Sequence, residues 1–478
     1  MTALDKSAVI GIVGAGTMGV GIAQVAAAAR HPVRLWDAAH VAADNGKQRL
    51  ESDLQKLVDR GKMEAAERDA LLGRVTVVKS LTDLAPSALV IEAIVEKLEI
   101  KRELFAELEG IVASECILAT NTSSISVTSI ARNLEMPGRM VGMHFFNPAP
   151  IMKLVEVVSG VATDGEVART VKSTAEQWGK VAIHTKSTPG FIVNRVARPY
   201  YAEALRLLEE QVADAATLDA LLTEGGGFRM GPFALMDLIG HDVNYQVTLS
   251  VFEAFYHDPR FRPSIVQLEL VNAGRFGRKS GRGFFRYDGS DDNPQPVAAE
   301  APVGTTTIQQ FSLGAMSTFK GVTIAPTDGR TAAEVAASMG APAIIYDLFK
   351  AEGASRLGFT ASSDTPEEVI ESFVATMAER DVKTTRLPDW PGLVVMRTVV
   401  MLANEGFEAV MQAVSDEAGV DAAMRFGVNY PKGPITWARE IGLQRVADII
   451  DNLLRLTGDP RYRVSLGLRR AAQQSKAA

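Results

Sequence analysis

One cysteine, Cys116, stands in a chain of 478 residues. A single thiol excludes an intrachain disulfide and any cysteine-based metal site, and it suits a reducing, cytoplasmic setting. Histidine is also scarce: there are six, with no HxH or HxxxH spacing, so no metal site is signalled. Positive charge is in deficit, with 50 Lys and Arg against 57 Asp and Glu and a net charge of −7. That balance argues against a chain built to hold nucleic acid or an anionic membrane, though not against a local basic patch. Long apolar runs are few. Residues 8–29 carry no charge and are long enough to cross a bilayer. Glycine interrupts that run at 11, 14, 16, 19 and 21, and neither the compact Leu-rich core nor the cleavage site of a secretory signal is plain in it.

Glycine, by contrast, is plentiful at 40 residues, in a soluble globular composition of 47% apolar and 22% charged residues. The length predicts two to four domains, at roughly 100–200 residues each. The first glycines have an ordered spacing. Val9–Val13 reads as a strand, Gly14-x-Gly16-x-x-Gly19 begins where it stops, and the Ala-rich residues 18–29 read as a helix. Gly14 permits the turn, Gly16 lets a pyrophosphate approach the backbone, and Gly19 lets the helix pack on the strand. The phosphates would sit at the positive helix N-terminus, with Thr17 and Met18 in its first turn. A second strand, Val33–Trp36, ends in Asp37, where a carboxylate suits ribose hydroxyls and repels the extra phosphate of NADP. Strand-like runs follow at 75–80, 88–96, 116–124 and 139–148, so the expected fold is a mainly parallel, doubly wound α/β sheet binding NAD.

The last of these runs, continued to "VGMHFFNPAPIMKLVEVVSG", holds one histidine and one glutamate in an apolar context. His144 and Glu156 lie symmetrically about Pro150, and Asn147-Pro148 favours a chain reversal, which would set the two opposite one another. A buried carboxylate needs a partner, and a carboxylate-oriented imidazole is a general base tuned near neutral pH. The plainer alternatives are a core histidine and a solvent-facing strand glutamate.

With "GAGTMGVGIAQ", "VIEAIVEKLEIK", "ATNTSSISVTSIA", "VGMHFFNPAPIMKLVEVV", "TPGFIVNR", "GPFALMDLIG" and "GRKSGRGFF" in order, the first 286 residues resemble the 3-hydroxyacyl-CoA dehydrogenase family. The resemblance implies a Rossmann-like NAD domain followed by a helical domain, and oxidation of an (S)-3-hydroxyacyl-CoA to its 3-oxo form. It implies His144 as general base and Glu156 as its partner, with Ser123 and Asn194 in the substrate site. Glu96, Lys101, Asn121 and Ser123 fall near the cofactor, and Asn147 near the substrate. Helix-forming or helix-capping roles are the alternatives for Ser123, Asn194 and Glu96, with Asn194 inside an expected helix over 191–208. For the several phosphates of CoA, Arg60 and Lys62 in "LQKLVDRGKM" offer a basic landing site, or simply a solvated face. The rival 6-phosphogluconate-type dehydrogenases use a lysine in a Gly-rich helix that has no match here. UDP-sugar dehydrogenases need a nucleophilic cysteine, and Cys116 lies in a strand-like run.

Past residue 286 a polar linker (287–307) leads to a repeat. A shift of 202 residues aligns 189–240 with 391–442 without a gap, at 15 identical positions including Arg195/Arg397, Glu203/Glu405 and Gly240/Gly442. The expected domains are therefore an NAD-binding domain (1–187), a helical domain (188–286), a small degenerate α/β segment (308–390) and a second, non-catalytic helical domain (391–478). Asn194 becomes Met396 in the copy, and 308–390 has neither GxGxxG nor HFFNP. The duplicated arrangement resembles the subgroup acting on 3-hydroxyadipyl-CoA in bacterial phenylacetate degradation, with 3-hydroxybutyryl-CoA as the alternative substrate. The expected partner is an acyl-CoA, with no nucleic acid and no membrane. The chain would be a monomer or homo-oligomer whose second helical domain forms an internal pseudo-dimer with the first. A non-catalytic dinucleotide-binding structural protein is the alternative of another class.

Overall fold

The computed structural model describes residues 2–289, 292–349 and 353–477. Residues 290–291 of the expected linker and 350–352 of the small α/β segment lie outside the described residues. The chain forms two compact units, Met1–Asn194 with Ala413–Val428, and Arg195–Gln412 with Asn429–Ala478.

The first unit is built on an eight-stranded sheet: β1 (Val9–Val13), β2 (Val33–Trp36), β3 (Val75–Val77), β4 (Ser87–Glu92), β5 (Ile117–Thr120), β6 (Met140–Phe145), β7 (Leu154–Ser159) and β8 (Val181–Lys186). Their order is β3-β2-β1-β4-β5-β6-β7-β8. β7 runs antiparallel to β6, and β8 runs with β7; the remaining pairs are parallel. Both faces of the sheet are covered. Leu89 and Ile91 of β4 join one apolar cluster, while Val90 between them joins the other, as the two-residue period of a strand requires. The uncharged run 8–29 is β1, a turn and the helix Thr17–Ala28, and among the described residues no helix is long and apolar enough to cross a membrane. The helix Glu417–Gly427, from the second helical copy, belongs to this unit. It lies on β7 and β8. There the Lys186 N–H donates to the Val414 carbonyl at 3.0 Å, and a Cβ on Gly427 would fall 2.6 Å from the Leu154 side chain.

The second unit has a five-stranded sheet of β9 (Ser317–Phe319), β10 (Val322–Pro326), β11 (Ala343–Tyr346), β12 (Arg356–Ala361) and β13 (Lys383–Arg386), in the order β13-β12-β11-β10-β9. The 202-residue shift extends backward through it, carrying β7 residue for residue onto β12. It also relates the ion pairs of the helical copies. Arg195 Nε donates to Glu405 at 2.5 Å, and Arg397 Nε donates to Glu203 at 2.9 Å, all four side chains being at least 97% buried. Each arginine of one copy thus meets the glutamate of the other. The helix of the first copy around Leu221–Gly225 in turn lies on β12.

Two expectations need correction. The helix foreseen over 191–208 is two, Val193–Val196 and Arg198–Glu209, because Pro199 cannot donate its backbone nitrogen to a continuing helix. Its counterpart has Met401 there and runs unbroken over Val395–Met411. Nor does weak order describe the whole linker. Val297 N–H donates to Thr217 Oγ1 at 3.0 Å, its carbonyl accepts from Arg356 and Thr385 at 2.8 Å, and Ala299 N–H donates to the Thr384 carbonyl at 2.7 Å. This segment covers the β13 edge, and backbone pairing to an edge strand leaves no mark on composition.

Glu405→Ala is expected to leave Arg195 and Arg260 buried without their shared carboxylate. Breaking such a pair costs about 3–5 kcal/mol, so the thermal midpoint should fall by several degrees. An unchanged midpoint would show that the exchanged ion pairs do not hold this unit together.

Candidate active site

The loop after β1 is shaped by close approach. Gly14 has φ +103°, and a Cβ there would fall 2.6 Å from the Ala93 carbonyl oxygen; one on Gly19 would fall 1.8 Å from the Gly14 oxygen. A Cβ on Gly16 would meet nothing within 4 Å. Gly16 is the N-cap of the helix Thr17–Ala28, whose first turn has no side-chain cap and no acid, so its N–H groups stay available to an anion. Thr17 is exposed and Met18 half-buried in that turn. A cleft of about 520 Å³ opens here, lined by Gly14, Gly16, Trp36, Asp37, Ala93 and Ile94 among others. Asp37 is oriented at its rim, Oδ2 accepting from Ala15 N–H at 2.8 Å and Oδ1 from Ala39 N–H at 2.9 Å. A free helix terminus, an open approach at Gly16 and a fixed carboxylate are what a dinucleotide such as NAD needs.

β6 and β7 place His144 directly opposite Glu156. The histidine Nδ1 lies 2.7 Å from Glu156 Oε2, with the imidazole 5% exposed and the glutamate not at all. The other oxygen, Oε1, accepts from the Ile192 and Val193 N–H groups, each at 3.0 Å. An ionised carboxylate only accepts, so the proton of a neutral His144 sits on Nδ1 and Nε2 keeps its lone pair. Asn194, next in the chain, donates from Nδ2 to the Ser123 carbonyl at 3.3 Å. Asn121 Oδ1 accepts from Phe145 N–H at 2.8 Å, tying the neighbouring loop to the end of β6.

The loop bearing Ser123 is held from beneath. Glu96 Oε1 accepts from Thr122 Oγ1 at 2.6 Å and Ser123 N–H at 2.9 Å, while Oε2 lies 3.1 Å from Lys101 Nζ. Lys101, 1% exposed, also donates to Glu92 at 2.6 Å, and Glu92 accepts from Thr120 Oγ1 at 2.7 Å. Burial alone would raise the Glu96 pKa, but Lys101 and the Thr122 and Ser123 donors outweigh it and bring it below the usual carboxylate range. Glu92 and Thr120 escape sequence reasoning; an acid in an apolar strand, nine residues before a lysine, was the available signal. Ser123 does not cap the following helix, since Ser126 does. Asn147 is exposed in the turn between β6 and β7. Arg60 and Lys62 are exposed just past the helix His40–Asp59 and line none of the cleft described here. Burial pushes the Cys116 thiol up to about 12, which leaves it unsuited to act as a nucleophile.

The second half differs at the matching positions. Under the same shift His144 corresponds to Tyr346, Glu156 to Gly358 and Asn194 to Met396. A carboxylate nevertheless sits at the helix start. Asp347 Oδ2 accepts from the Val394 and Val395 N–H groups at 2.8 and 2.7 Å, and Oδ1 from Met396 at 2.8 Å. A Cβ on Gly358 would fall 3.6 Å from Asp347 Oδ2, so Asp347 occupies space beside the position that Glu156 holds in the first half.

Family models match nearly the whole chain. The NAD binding domain of 3-hydroxyacyl-CoA dehydrogenase covers 9–188, and the C-terminal domain of the same family covers 190–287 and again 392–477. The reduced Rossmann-fold domain of 3-hydroxybutyryl-CoA dehydrogenase covers 324–391. The chain is 42% identical over 466 residues to the 3-hydroxyadipyl-CoA dehydrogenase of Escherichia coli, spanning 97% of both. The chain belongs to the 3-hydroxyacyl-CoA dehydrogenase family. A family member of single-copy length, the 3-hydroxybutyryl-CoA dehydrogenase of Mycobacterium tuberculosis, is 39% identical over 280 residues, which is 58% of this chain and 98% of its own. The crystal structure of 3-hydroxybutyryl-CoA dehydrogenase from Escherichia coli matches with a TM-score of 0.95 at 40% identity, over 99% of this chain and 100% of that one. Membership brings with it an NAD-binding domain, in agreement with the glycine loop and Asp37.

Lys101→Met should strand Glu92, which has no exposure to solvent, at a cost of about 3–5 kcal/mol. The expected readings are a lower thermal midpoint and weaker NAD binding by titration. If both match the parent, the Glu92–Lys101–Glu96 chain does not support the Ser123 loop.

Proposed function

We propose that the first unit oxidises an (S)-3-hydroxyacyl-CoA to the 3-oxoacyl-CoA, with His144 as general base. The observation that carries this reading is the 2.7 Å contact between His144 Nδ1 and Glu156, whose second oxygen is occupied by backbone donors. Nε2 is thereby left to accept the proton of the substrate 3-hydroxyl. As the proton arrives, Glu156 stabilises the imidazolium and fixes its orientation. Ser123 and Asn194 supply neutral hydrogen bonds for the C3 oxygen and the imidazole, and such positioning is worth several kcal/mol. NAD, when bound, provides the hydride acceptor; Gly14, Gly16, Thr17, Met18, Gly19 and Asp37 would hold its phosphates and ribose, and Glu96, Lys101 and Asn121 lie along the same loop system. Arg60 and Lys62 remain the proposed landing site for the CoA phosphates.

Among substrates we favour 3-hydroxyadipyl-CoA. The relative of that name spans both halves of the chain at 42% identity; the crystal structure of 3-hydroxybutyryl-CoA dehydrogenase from Escherichia coli spans both halves as well, so coverage alone does not separate the two substrates. Steady-state kinetics on the two thioesters, followed by NADH absorbance, decides between them: a higher kcat/KM for 3-hydroxybutyryl-CoA would overturn the choice. The lone buried cysteine favours a cytoplasmic location.

We further propose the domain boundaries 1–187, 188–286, 308–390 and 391–478, with the second helical domain standing in for a partner subunit. The reciprocal Arg195–Glu405 and Arg397–Glu203 pairs support this, since a two-fold interface relates its contacts in that way.

His144→Ala is expected to lower kcat by about 10²–10⁴-fold with little change in NAD affinity; a kcat within threefold of the parent removes His144 from the mechanism. Truncation after Tyr287 should strip the helix Glu417–Gly427 from β7 and β8 and uncover the apolar face of the first helical domain. Exposed apolar patches of several hundred square ångströms drive association, so light scattering should show a dimer or aggregate. A soluble, fully active monomer would mean that the second copy shields nothing.

A further inference from the structure

Arg198 opens the helix Arg198–Glu209 and is 4% exposed. A guanidinium stays charged and carries five N–H donors. Of these, one bond is made within the protein, from Nη1 to Thr248 Oγ1 at 3.0 Å, and the group lies over the Tyr201 ring at 4.9 Å. Nε has no partner and is sealed from solvent. Nη2 makes no hydrogen bond among the described residues, and Arg198 lines the adjacent cavity. No carboxylate among the described residues lies within ion-pair distance of Arg198. Burying a charge without a counter-charge is costly, and buried charges are as a rule paired.

The cavity beside it supplies the room. It holds about 30 Å³, enough for two or so waters or one small anion, at about 10–15 Å³ for a water. Four arginines line it: Arg198, Arg206, Arg262 and Arg461. The Thr248 and Ser264 hydroxyls on its wall already donate, to the Asn244 carbonyl at 3.0 Å and to Glu209, the single acid lining it, at 2.5 Å. Arg206 is answered by Asp459 and by Glu210, and Arg461 lies 3.7 Å from Glu203 and from Asp459. Arg262, at the exposed rim, makes no ion pair among the described residues. Arg198, buried, and Arg262, at the mouth, thus make no ion pair among the described residues, while Glu209 shares the wall and Asp459 lies near enough to Arg262 to feel its charge.

We propose that this cavity is a binding site for a small oxyanion, held by the guanidinium groups of Arg198 and Arg262. Guanidinium is suited to the task because its planar fork matches the oxygen spacing of phosphate and carboxylate. The cavity is too small for a nucleotide, so the occupant is a free anion or the terminal group of a larger molecule. The site does not depend on the catalytic cleft, since none of its residues belongs to the first unit.

The test uses the full chain with saturating NAD, so that phosphate cannot register at the glycine loop. At constant ionic strength, replacing chloride by inorganic phosphate should raise the thermal midpoint saturably, as binding to the folded state alone requires. Sulfate is expected to act likewise; succinate shows whether a carboxylate serves as well as a tetrahedral oxyanion. Isothermal titration should give a phosphate Kd raised at least tenfold in Arg198→Gln and in Arg262→Gln. The rim variant keeps the test decisive if Arg198→Gln fails to fold. A midpoint indifferent to phosphate and sulfate overturns the proposal, and so does an undiminished response in Arg262→Gln.

Discussion

Glu156 has no exposure to solvent and, when ionised, cannot donate, so each of its oxygens must meet a donor. One oxygen takes the imidazole of His144 and the other takes two N–H groups at the start of the helix Val193–Val196. That single carboxylate therefore sets three things together: the tautomer of the histidine, the register of β6 on β7, and the place where Asn194 leaves the helix start. The strand pair does the coarse positioning, since antiparallel partners put His144 and Glu156 face to face. The hydrogen bonds do the fine positioning. In the proposed mechanism chemistry and architecture share this one group, so substitutions at Glu156 act on both.

The silent half separates the two roles. At the position matching Glu156 it has Gly358, and at that of His144 it has Tyr346, yet Asp347 comes forward to receive the N–H groups of residues 394–396. The helix anchor is present here without a His–Glu pair, supplied by the residue that follows β11. Anchoring a helix N-terminus with a carboxylate is thus a structural demand common to both halves, because those N–H groups have no partner within the helix. Burial pushes the Asp347 carboxyl up to about 6 even with four backbone donors against it. No histidine stands opposite it to become a cation.

Much of this was legible in the sequence because it follows from local rules. The glycine loop and Asp37 declare a strand–turn–helix and a fixed carboxylate, and a chain reversal centred on Pro150 sets His144 opposite Glu156. The repeat was visible from identities alone. What escaped was long-range: Glu92 reaches Lys101 across a loop and Thr120 across a strand, and no periodicity marks such a pairing. The break before Pro199 could have been read from the proline rule. The pinning of Val297 and Ala299 could not, since backbone pairing to a sheet edge is indifferent to side-chain composition. Asp347 is the hardest case. Alignment to Glu156 points at Gly358, and the functional substitute is one that only the folded strands bring to the same space.

In the second half, the positions matching His144 and Glu156 are held by contacts of another kind. A base could be restored at position 346 only by replacing a side chain whose hydroxyl now accepts from Gly314 N–H and donates to the Ala315 carbonyl, at 2.8 and 3.2 Å. Restoring a glutamate at 358 would bring a second carboxylate beside Asp347, and like charges in a sealed space cannot both ionise without a large cost. Each step back toward catalysis is therefore opposed by a contact that the structure now uses, while the helices and ion pairs that tie the copies together make no use of a base. The fold rests on Arg397, Glu405 and the helix anchor, and none of these contacts calls for a base at position 346, 358 or 396.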